Sequence, residues 1–418
     1  MPDPIMPTPR SPGNPADTTP DARIAFVLEL GRALHAYGVA APRLEEVLGT
    51  ASRRLGLEGQ FFTTPTSVFA GIGPVPNQHT FLLRVEPGGT DLGRLAQTDA
   101  VIRQVLDGAI TPEAGVQQLA QIRRDPPTYR PAVTVLGFSL ASGAAARFLG
   151  GGLPEIGVAV VLGALTGALS LRAATRPALD RVFEPVASFT VAFLAAFAAA
   201  TWGGFSLATA TLAGLIVLIP GMTLTTAMSE LASRHLSSGT ARVSAAAITF
   251  LGIGLGVTLG YRVAGLLVGL PMVAGPRLGL PSWANLIALV ISGLGFTVLL
   301  KAERRDAIWI VVAGMVAFFG ARLGGQVLGP ELGVFLGALL VGLGSLGFER
   351  LTDRPAAIVV VPGLLTLVPG SVGFRSLLSM IDQEVISGVE TAFRMVMIAV
   401  ALVAGLLLAK LAAPRAAR

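Results

Sequence analysis

The sequence contains no cysteine, which excludes disulfide bonds, thiolate metal sites and cysteine nucleophiles. It has only three histidines, His35, His79 and His235, and no two of them have the spacing of metal ligands. Charged residues are also scarce, at 13% of the chain, against about 25% in an ordinary soluble domain. We expect no metal and no cofactor. Because 52% of the residues are hydrophobic, we interpret the chain as an α-helical polytopic membrane protein.

The few charges are unevenly distributed. Residues 21–130 hold eleven basic and eleven acidic side chains, so the net charge of +6 lies in the later, apolar part of the chain. In membrane loops such an excess indicates orientation and not a polyanion-binding surface, and no nucleic-acid partner is expected. Residues 1–20 are rich in proline and lack the apolar segment of a signal peptide, which predicts a disordered tail.

Residues 21–130 have the pattern of a small α/β domain. Apolar residues recur at helical spacing in "IAFVLELGRALHAYG" and "PRLEEVLGTASRRLGL", and Thr111 with Pro112 forms a helix start. The stretches "QFFTTPTSVFAG" and "HTFLLRVEP" have strand-like composition. A stiff junction, "DPPTYRP", follows. We predict that this domain stays on the cytoplasmic side.

From residue 131 onward, charge-free stretches can be counted as membrane spans, each needing about 20 residues, or 17 at the usual minimum. The uncharged stretch 185–229 is long enough for two spans, with "WGGF" as the turn. The count is ten spans. They lie at 132–146, 156–171, 185–229 (two), 243–261, 278–300, 307–321, 332–348, 355–374 and 395–409.

The distribution of arginine and lysine supports this count. With the N-terminus inside, thirteen basic residues fall on inner loops and the tail, and six on the outer side. The predicted location is the cell (inner) membrane, with both termini cytoplasmic. We assign residues 131–270 and 271–418 to two five-helix repeats.

Two spans are interrupted by Pro-Gly pairs. Pro220-Gly221 falls in the fourth span, and "VVVPGLLTLVPGSVGFRS", with Pro362-Gly363 and Pro369-Gly370, falls in the ninth. Five spans separate the interruptions, so the two halves have opposite orientations. This 5+5 inverted repeat is typical of secondary transporters, whose substrate site lies where broken helices meet.

Broken helices expose unpaired amides, which can donate hydrogen bonds to a substrate carboxylate. We predict that the carboxylate binds at the amides after Pro220-Gly221 or Pro362-Gly363. Hydroxyls would bind the ammonium or hydroxyl of the substrate, and a carboxylate would exchange the proton. The predicted substrate-binding residues are Pro220, Gly221, Thr223, Thr226, Pro362, Gly363, Ser371 and Arg375, and the predicted proton-coupling residues are Glu230 and Asp382.

Four long stretches resemble the threonine/serine exporter (ThrE-type) family over nearly the whole chain after the tail. They include "LHAYGVAAPRLEEVLGTASRRLG", "IPGMTLTTAMSELASRHLSSGTAR" and "VVVPGLLTLVPGSVGFRS". The resemblance implies a cytoplasmic domain fused to ten helices that export small hydroxy amino acids by using the proton gradient. A related two-component branch is associated with dicarboxylates, and export of succinate-like solutes is the alternative.

Two other function classes stay open at this point. Thr63, Thr64, Ser67 and His79, with Glu45 or Asp91, would be the candidates if the soluble domain were a hydrolase, but no G-x-S-x-G elbow frames them. A channel would need no titratable coupling residue. The residues do not decide whether copies form a homo-oligomer. The expected partners are a small amino acid or carboxylate, protons and the lipid bilayer.

Overall fold

The computed structural model describes residues 22–86, 88–268, 279–368, 370–381 and 385–412. The N-terminal domain begins with α1 (Ala22–Ala36) and α2 (Ala41–Arg54) and ends with α3 (Leu92–Leu106) and α4 (Pro112–Arg124). Phe26 and Leu30 of α1 and Leu44 of α2 are fully buried between these elements. The predicted start of α4 is confirmed, since the Thr111 side chain accepts a hydrogen bond from the Ala114 amide. The predicted tail lies outside the described residues.

Between α2 and α3 lies a three-stranded antiparallel sheet in the order β1-β2-β3, formed by β1 (Gly59–Thr64), β2 (Ser67–Ile72) and β3 (His79–Arg84). The strand-like stretch at 60–71 is therefore a hairpin, because Pro65 and Thr66 form a two-residue loop after Thr64. Val68, Ala70 and Ile72 alternate inward, as expected of a sheet with one covered face.

The rest of the described chain is helical. Its helices are α5 (Pro131–Phe148), α6 (Leu153–Ala173), α7 (Pro177–Asp180), α8 (Phe183–Trp202), α9 (Leu207–Gly214), α10 (Gly221–Ala232), α11 (Leu236–Val268), α12 (Ala284–Leu299), α13 (Ala307–Leu328), α14 (Pro330–Thr352), α15 (Ala357–Leu367), α16 (Gly370–Ile381) and α17 (Val385–Leu411). A 3-10 turn, Arg304–Asp306, precedes α13.

Seven segments within the described residues are long and apolar enough to cross a membrane. They are Leu153–Ala173, Phe183–Trp202, Leu236–Val268, Arg304–Leu328, Pro330–Thr352, Ala357–Ser376 and Ile386–Leu411. Helix α12 is apolar but shorter, and the fourth predicted span is divided into α9 and α10. The chain is thus a multi-span membrane protein, and the count of ten stays a prediction.

Helix α11 shows why these helices need a bilayer. Ile248, Leu251, Leu255 and Leu259 follow one another at intervals of three or four residues and are 70%, 57%, 58% and 48% exposed. Residues at this spacing share one face of a helix. A continuous apolar face of this kind is unfavourable in water and is solvated by lipid.

The N-terminal domain contacts one end of the helical part, which we call the domain face. The contacts involve the end of α10, the start of α11 and the link Leu300–Ala302 between α12 and α13. Helix α13 starts there and spans about 33 Å at 1.5 Å per residue. The turn at Gly329 and Pro330 after α13 therefore lies at the opposite end, which we call the far face.

Candidate functional site

The first interruption is a true helix break. Helix α9 ends at Gly214, a series of turns follows, and α10 begins at Gly221 with Pro220 at the N-cap position. The Gly221 amide donates to the Ile219 carbonyl at 2.8 Å, and Leu224 donates to the Pro220 carbonyl at 3.0 Å. Within the described residues, the amides of Met222 and Thr223 have no acceptor. This is the orphan-donor pattern of a helix N-terminus.

The second break does not lie at Pro362, where the sequence analysis predicted a helix start. Pro362 lies inside α15, and Gly363 faces Val341 of α14, whose Cγ1 would be 2.8 Å from an added methyl group. Helix α15 continues to Leu367, and the new helix α16 begins at Gly370. The predicted interruption of this span is therefore present, but it precedes Gly370, and no helix starts at Pro362-Gly363, where the substrate carboxylate was predicted to bind. A proline six residues into a short helix forfeits one hydrogen bond and bends it without ending it.

The two breaks meet. A methyl group added to Gly221 would collide with Val368 Cγ1 and would lie 3.2 Å from Cα of Gly370. One added to Gly370 would lie 2.7 Å from Ile219 Cγ2. The first residues of α10 and α16 are thus in backbone contact, which only glycine permits. We call this contact the half-helix crossing.

The crossing joins two separate hydrophobic cores. Phe374 of α16 is fully buried and belongs to the core cluster that also contains Leu162 of α6, Val191 of α8, Leu212 of α9 and Ile253 of α11. Met222 of α10 packs on the other core, which includes Val341 and Leu364. Each half-helix therefore inserts a side chain into the opposite half, and the crossing is held from both sides.

Hydroxyl groups lie beside the crossing. Thr223 and Thr226 are half-buried, and neither side chain makes a hydrogen bond within the described residues. Thr225, which the sequence analysis did not single out, is buried and donates to the Gly221 carbonyl at 3.1 Å. Ser371, on α16, is half-buried. The free hydroxyls of Thr223 and Thr226 are available to a solute.

Glu230 lies at the other end of α10, about 13 Å along the helix axis from Gly221. Its carboxylate is fully buried. Arg242 Nε donates to both carboxylate oxygens, at 3.1 and 3.0 Å, and the Ala41 amide donates to Oε1 at 3.1 Å. Because Ala41 is the first residue of α2, the negative charge also lies at a helix N-terminus. Glu230 therefore connects the N-terminal domain to the half-helix.

Further polar contacts extend this junction. His235 Nε2 lies 3.1 Å from Glu45 Oε2, and the Ser238 hydroxyl donates to the Thr63 carbonyl at 3.3 Å. Glu45 Oε1 in turn accepts from the Thr63 amide and hydroxyl, both at 2.8 Å. These bonds fix the edge of the sheet against the turn between α10 and α11. The partners joined across this junction lie 190 positions apart in the chain for His235 and Glu45 and 175 apart for Ser238 and Thr63, and no local sequence pattern reveals such pairs.

A second junction lies on the other half of the helical part. The Leu92 and Gly93 amides at the start of α3 donate to the Leu300 and Lys301 carbonyls at 2.9 and 3.2 Å. The Tyr129 hydroxyl donates to the Ala302 carbonyl at 2.6 Å, and burial raises the pKa of Tyr129 above its ordinary value. The phenol thus remains a donor at physiological pH. The N-terminal domain consequently bridges the end of α10 and the link between α12 and α13.

A salt-bridge cluster supports that link. Arg354 donates to Glu303 and Asp306, both at 3.0 Å, and Arg305 donates to Glu303 at 2.6 Å. Burial alone would raise the pKa of Glu303, but the hydrogen bonds from Arg305 and Arg354 outweigh it and hold the pKa below its usual value. Glu303 is therefore ionised at neutral pH and ties the start of α15 to the domain face.

At the far face, a cavity of about 370 Å³ adjoins α16. Arg375, predicted from the sequence as an anion ligand, lines it together with Glu331, Thr391 and Arg394. Glu331, Thr391 and Arg394 are not among the site residues predicted from the sequence. The one local sequence signal for any of them is the i, i+4 spacing of Arg394 from Glu390, with which it forms an ion pair at 2.9 Å. Asp382, the second predicted proton-coupling residue, lies outside the described residues.

The residues considered for a hydrolase do not form a catalytic group. Thr63 is buried and donates to Glu45 instead of to a histidine, and Thr64 Oγ1 lies 2.7 Å from Ser67 Oγ. His79 is exposed at the start of β3. Within the described part of the domain, no histidine links one of these hydroxyls to a carboxylate, as a triad requires.

Comparison with known families agrees with the helical architecture. A family model for threonine/serine exporters, ThrE, matches residues 25–264. A second model, described as "Threonine/Serine exporter, ThrE", matches residues 285–412. The chain belongs to the threonine/serine exporter (ThrE) family. This is a family of membrane transporters and not of enzymes, and the resemblance noted in the sequence is confirmed.

Individual relatives of this ThrE-family chain come from bacteria and fungi. It is 25% identical over 396 residues to the "Threonine/serine exporter" of Corynebacterium glutamicum, an alignment that covers 92% of this chain and 77% of the relative. It is 28% identical over 381 residues to "Pheromone-regulated membrane protein 10" of Yarrowia lipolytica, with 84% and 30% covered. The protein of that name from Candida albicans is 27% identical, with 88% and 34% covered. The chain thus spans about a third of the length of these fungal relatives. No solved structure matches it.

Proposed function

We propose that this protein is a secondary active exporter of small hydroxy amino acids, threonine and serine, driven by the proton gradient. The observation that carries the proposal is the half-helix crossing, where Gly221 and Gly370 bring two helix N-termini together inside an apolar helical bundle. The name of the Corynebacterium relative supports the substrate class.

Equivalent packing in the two halves supports a 5+5 inverted repeat. The third helix packs on the fifth in each half, as α8 with α11 and α14 with α17. The fourth span of each half is broken into two half-helices, α9 and α10 or α15 and α16. The second helix packs on the first of these half-helices, as α6 with α9 and α13 with α15. The second half-helix packs on the fifth helix, as α10 with α11 and α16 with α17. The two family matches also divide the chain near residue 270.

A pair of buried carboxylates supports the opposite orientation of the halves. Glu155, in the first turn of α6, accepts from the Ser206 amide at 2.8 Å, just before α9. Asp306, just before α13, accepts from Arg354 at 3.0 Å, just before α15. In both halves an acid at the start of the second helix thus holds the loop that precedes the broken helix. Asp306 adjoins the domain face, whereas Glu155 lies across the bundle, as an inverted repeat requires.

The substrate carboxylate is proposed to bind at the crossing. The amides of Met222 and Thr223 have no acceptor within the described residues, and the positive ends of the α10 and α16 dipoles converge there. Thr223 and Thr226 would bind the ammonium or hydroxyl group, and Ser371 would do so from α16. Gly370 takes the place first given to Gly363 because α16 begins there.

The proposed orientation has the soluble domain and both termini in the cytoplasm of a cell whose inner membrane holds the helices. The basic loops predicted to be inside include the link after Leu300 and the turn after Ala232, and both contact the soluble domain. Glu230 is the proposed proton-exchanging group, since it is the buried carboxylate on the first broken helix.

The test is counterflow in proteoliposomes that contain the full-length protein. Vesicles loaded with unlabelled threonine are diluted into labelled threonine, and serine, leucine and succinate serve as alternative internal solutes. A carrier for hydroxy amino acids shows saturable uptake that internal threonine or serine accelerates and that leucine does not. An imposed proton gradient should then drive threonine against its concentration.

Each alternative gives a different result. Acceleration by internal succinate but not by internal threonine would show that the substrate is a dicarboxylate and not an amino acid. Uptake without saturation or acceleration would identify a pore. Acceleration by threonine without any response to the proton gradient would leave an exchanger and would remove the proton-coupling role of Glu230.

A further inference from the structure

The far-face cavity of about 370 Å³ is built from three helices of the second half. Its polar lining consists of Glu331 on α14, Arg375 on α16, and Thr391 and Arg394 on α17. Its size falls at the lower end of the range for small-molecule sites, about 300–1,000 Å³. Arg375 lies about 7 Å along α16 from Gly370. The cavity therefore adjoins the half-helix crossing on the side that opens to the far face.

The two arginines of the cavity differ in their partners. Arg394 Nη2 donates to Glu390 at 2.9 Å, and Arg394 Nε lies 3.6 Å from Glu331 Oε1. Arg375 is exposed to the cavity and has no ion-pair partner among the described residues. A guanidinium stays protonated in proteins. The cavity thus presents one positive charge that the surrounding described chain does not neutralise.

We propose that this cavity is a second solute site, in which Arg375 binds the carboxylate and Glu331 binds the ammonium group of a zwitterionic α-amino acid. The inference rests on the proposed function, because it places the exported solute on its way out from the crossing. Planar guanidinium groups bind carboxylates through two parallel hydrogen bonds, which gives both strength and orientation. Arg375 is free to do so without breaking an existing pair.

The other polar groups favour a zwitterion over a dicarboxylate. Glu331 is 35% exposed at its side chain and holds Arg394 only at 3.6 Å, so one carboxylate oxygen can accept from an ammonium group. The Thr391 hydroxyl donates to the Ser387 carbonyl at 2.8 Å, which leaves its oxygen as an acceptor for a substrate hydroxyl. A second carboxylate on the solute would instead lie against Glu331 and be repelled.

The experiment measures binding to the full-length protein in detergent by isothermal titration calorimetry, with three probes. L-threonine carries both charges, L-threoninol lacks the carboxylate, and succinate lacks the ammonium group. The variants are Arg375→Gln, Glu331→Gln and the matched control Arg322→Gln. Arg322 is an exposed arginine in the second half of α13 that does not line the cavity.

We expect Arg375→Gln to weaken the binding of L-threonine about tenfold or more, as the loss of a charge-assisted hydrogen bond predicts. Binding of L-threoninol should not change, and Arg322→Gln should behave as the unmodified protein. Glu331→Gln should weaken the binding of L-threonine and strengthen the binding of succinate. Because Arg375 is exposed, its substitution is not expected to unfold the protein, and an unchanged Tm verifies this.

The results separate this inference from the proposed function. Equal affinities for L-threonine in the unmodified protein and Arg375→Gln would overturn the cavity site even if counterflow succeeds. Equal weakening of L-threonine and L-threoninol would also overturn it, since the guanidinium would then not read the carboxylate. Binding lost selectively in Arg375→Gln, combined with no counterflow by the unmodified protein, would retain the cavity site and reject the transport function.

Discussion

Gly221 and Gly370 are in backbone contact: a methyl group on Gly221 would lie 3.2 Å from Cα of Gly370, and one on Gly370 would lie 3.5 Å from Cα of Gly221. Each glycine is the first residue of a half-helix. The contact therefore unites the positive ends of two helix dipoles, and the proposed substrate site depends on it.

The first prediction concerns this contact. We expect Gly221→Ala to reduce threonine counterflow at least about tenfold, because its methyl group collides with Val368 Cγ1 and forces the half-helices apart. Gly344→Ala is the matched control, since an added methyl group on this residue of α14 meets no atom within 4 Å. Counterflow is normalised to the amount of protein in the vesicles. Unchanged transport by a well-folded Gly221→Ala protein would contradict the proposed site.

The second prediction concerns the free hydroxyls. Thr223→Val and Thr226→Val should each raise the half-saturating threonine concentration by about two- to tenfold, because each removes one hydrogen bond worth about 0.5–1.5 kcal/mol. Thr225→Val is the control. Its hydroxyl donates to the Gly221 carbonyl of its own helix, so its loss should lower Tm more than affinity. If Thr225→Val alone changed affinity, the solute would bind on another face of α10.

The location of the first break could be predicted from the sequence, whereas that of the second could not. Pro220-Gly221 stands alone in its span, but Pro362-Gly363 and Pro369-Gly370 occur in one stretch and are locally equivalent. What separates them is tertiary packing. Gly363 packs against Val341 within a continuous helix, and Gly370 packs against Ile219 where a new helix begins. Composition carries no information on these partners.

The role of Glu230 shows the same limit. Glu230 lies on α10 four positions after Thr226, but its partners, Ala41 and Arg242, come from the N-terminal domain and from another helix. Glu331 and Arg394 were missed for a related reason. They lie on different helices, and their ion pair forms only when α14 and α17 pack together.

The third prediction concerns the junction between the N-terminal domain and the turn between α10 and α11. Because the protein contains no cysteine, Glu45→Cys/His235→Cys would carry the chain's only thiols. The two native side chains lie 3.1 Å apart at their tips, so a short bifunctional thiol reagent should join the two cysteines. If the halves move during transport, the cross-link should stop counterflow, and cleavage of the linker should restore it. The two single-cysteine proteins, treated in the same way, should stay active. Full activity after complete cross-linking would show that this junction stays closed throughout the cycle.

The last prediction separates the structural and coupling roles of Glu230. Glu230→Ala leaves Arg242 without its buried partner and should destabilise the protein by about 3–5 kcal/mol, seen as a lower Tm. Glu230→Ala/Arg242→Ala should be less destabilised than the sum of the single variants, because no buried charge is then left alone.

Glu230→Gln keeps an acceptor for the Ala41 amide but cannot exchange a proton. If Glu230 couples transport, Glu230→Gln should retain counterflow and lose gradient-driven accumulation. Counterflow would be retained because it needs no net proton movement. Retention of both activities would instead assign Glu230 to the junction alone, and the coupling group would have to lie elsewhere.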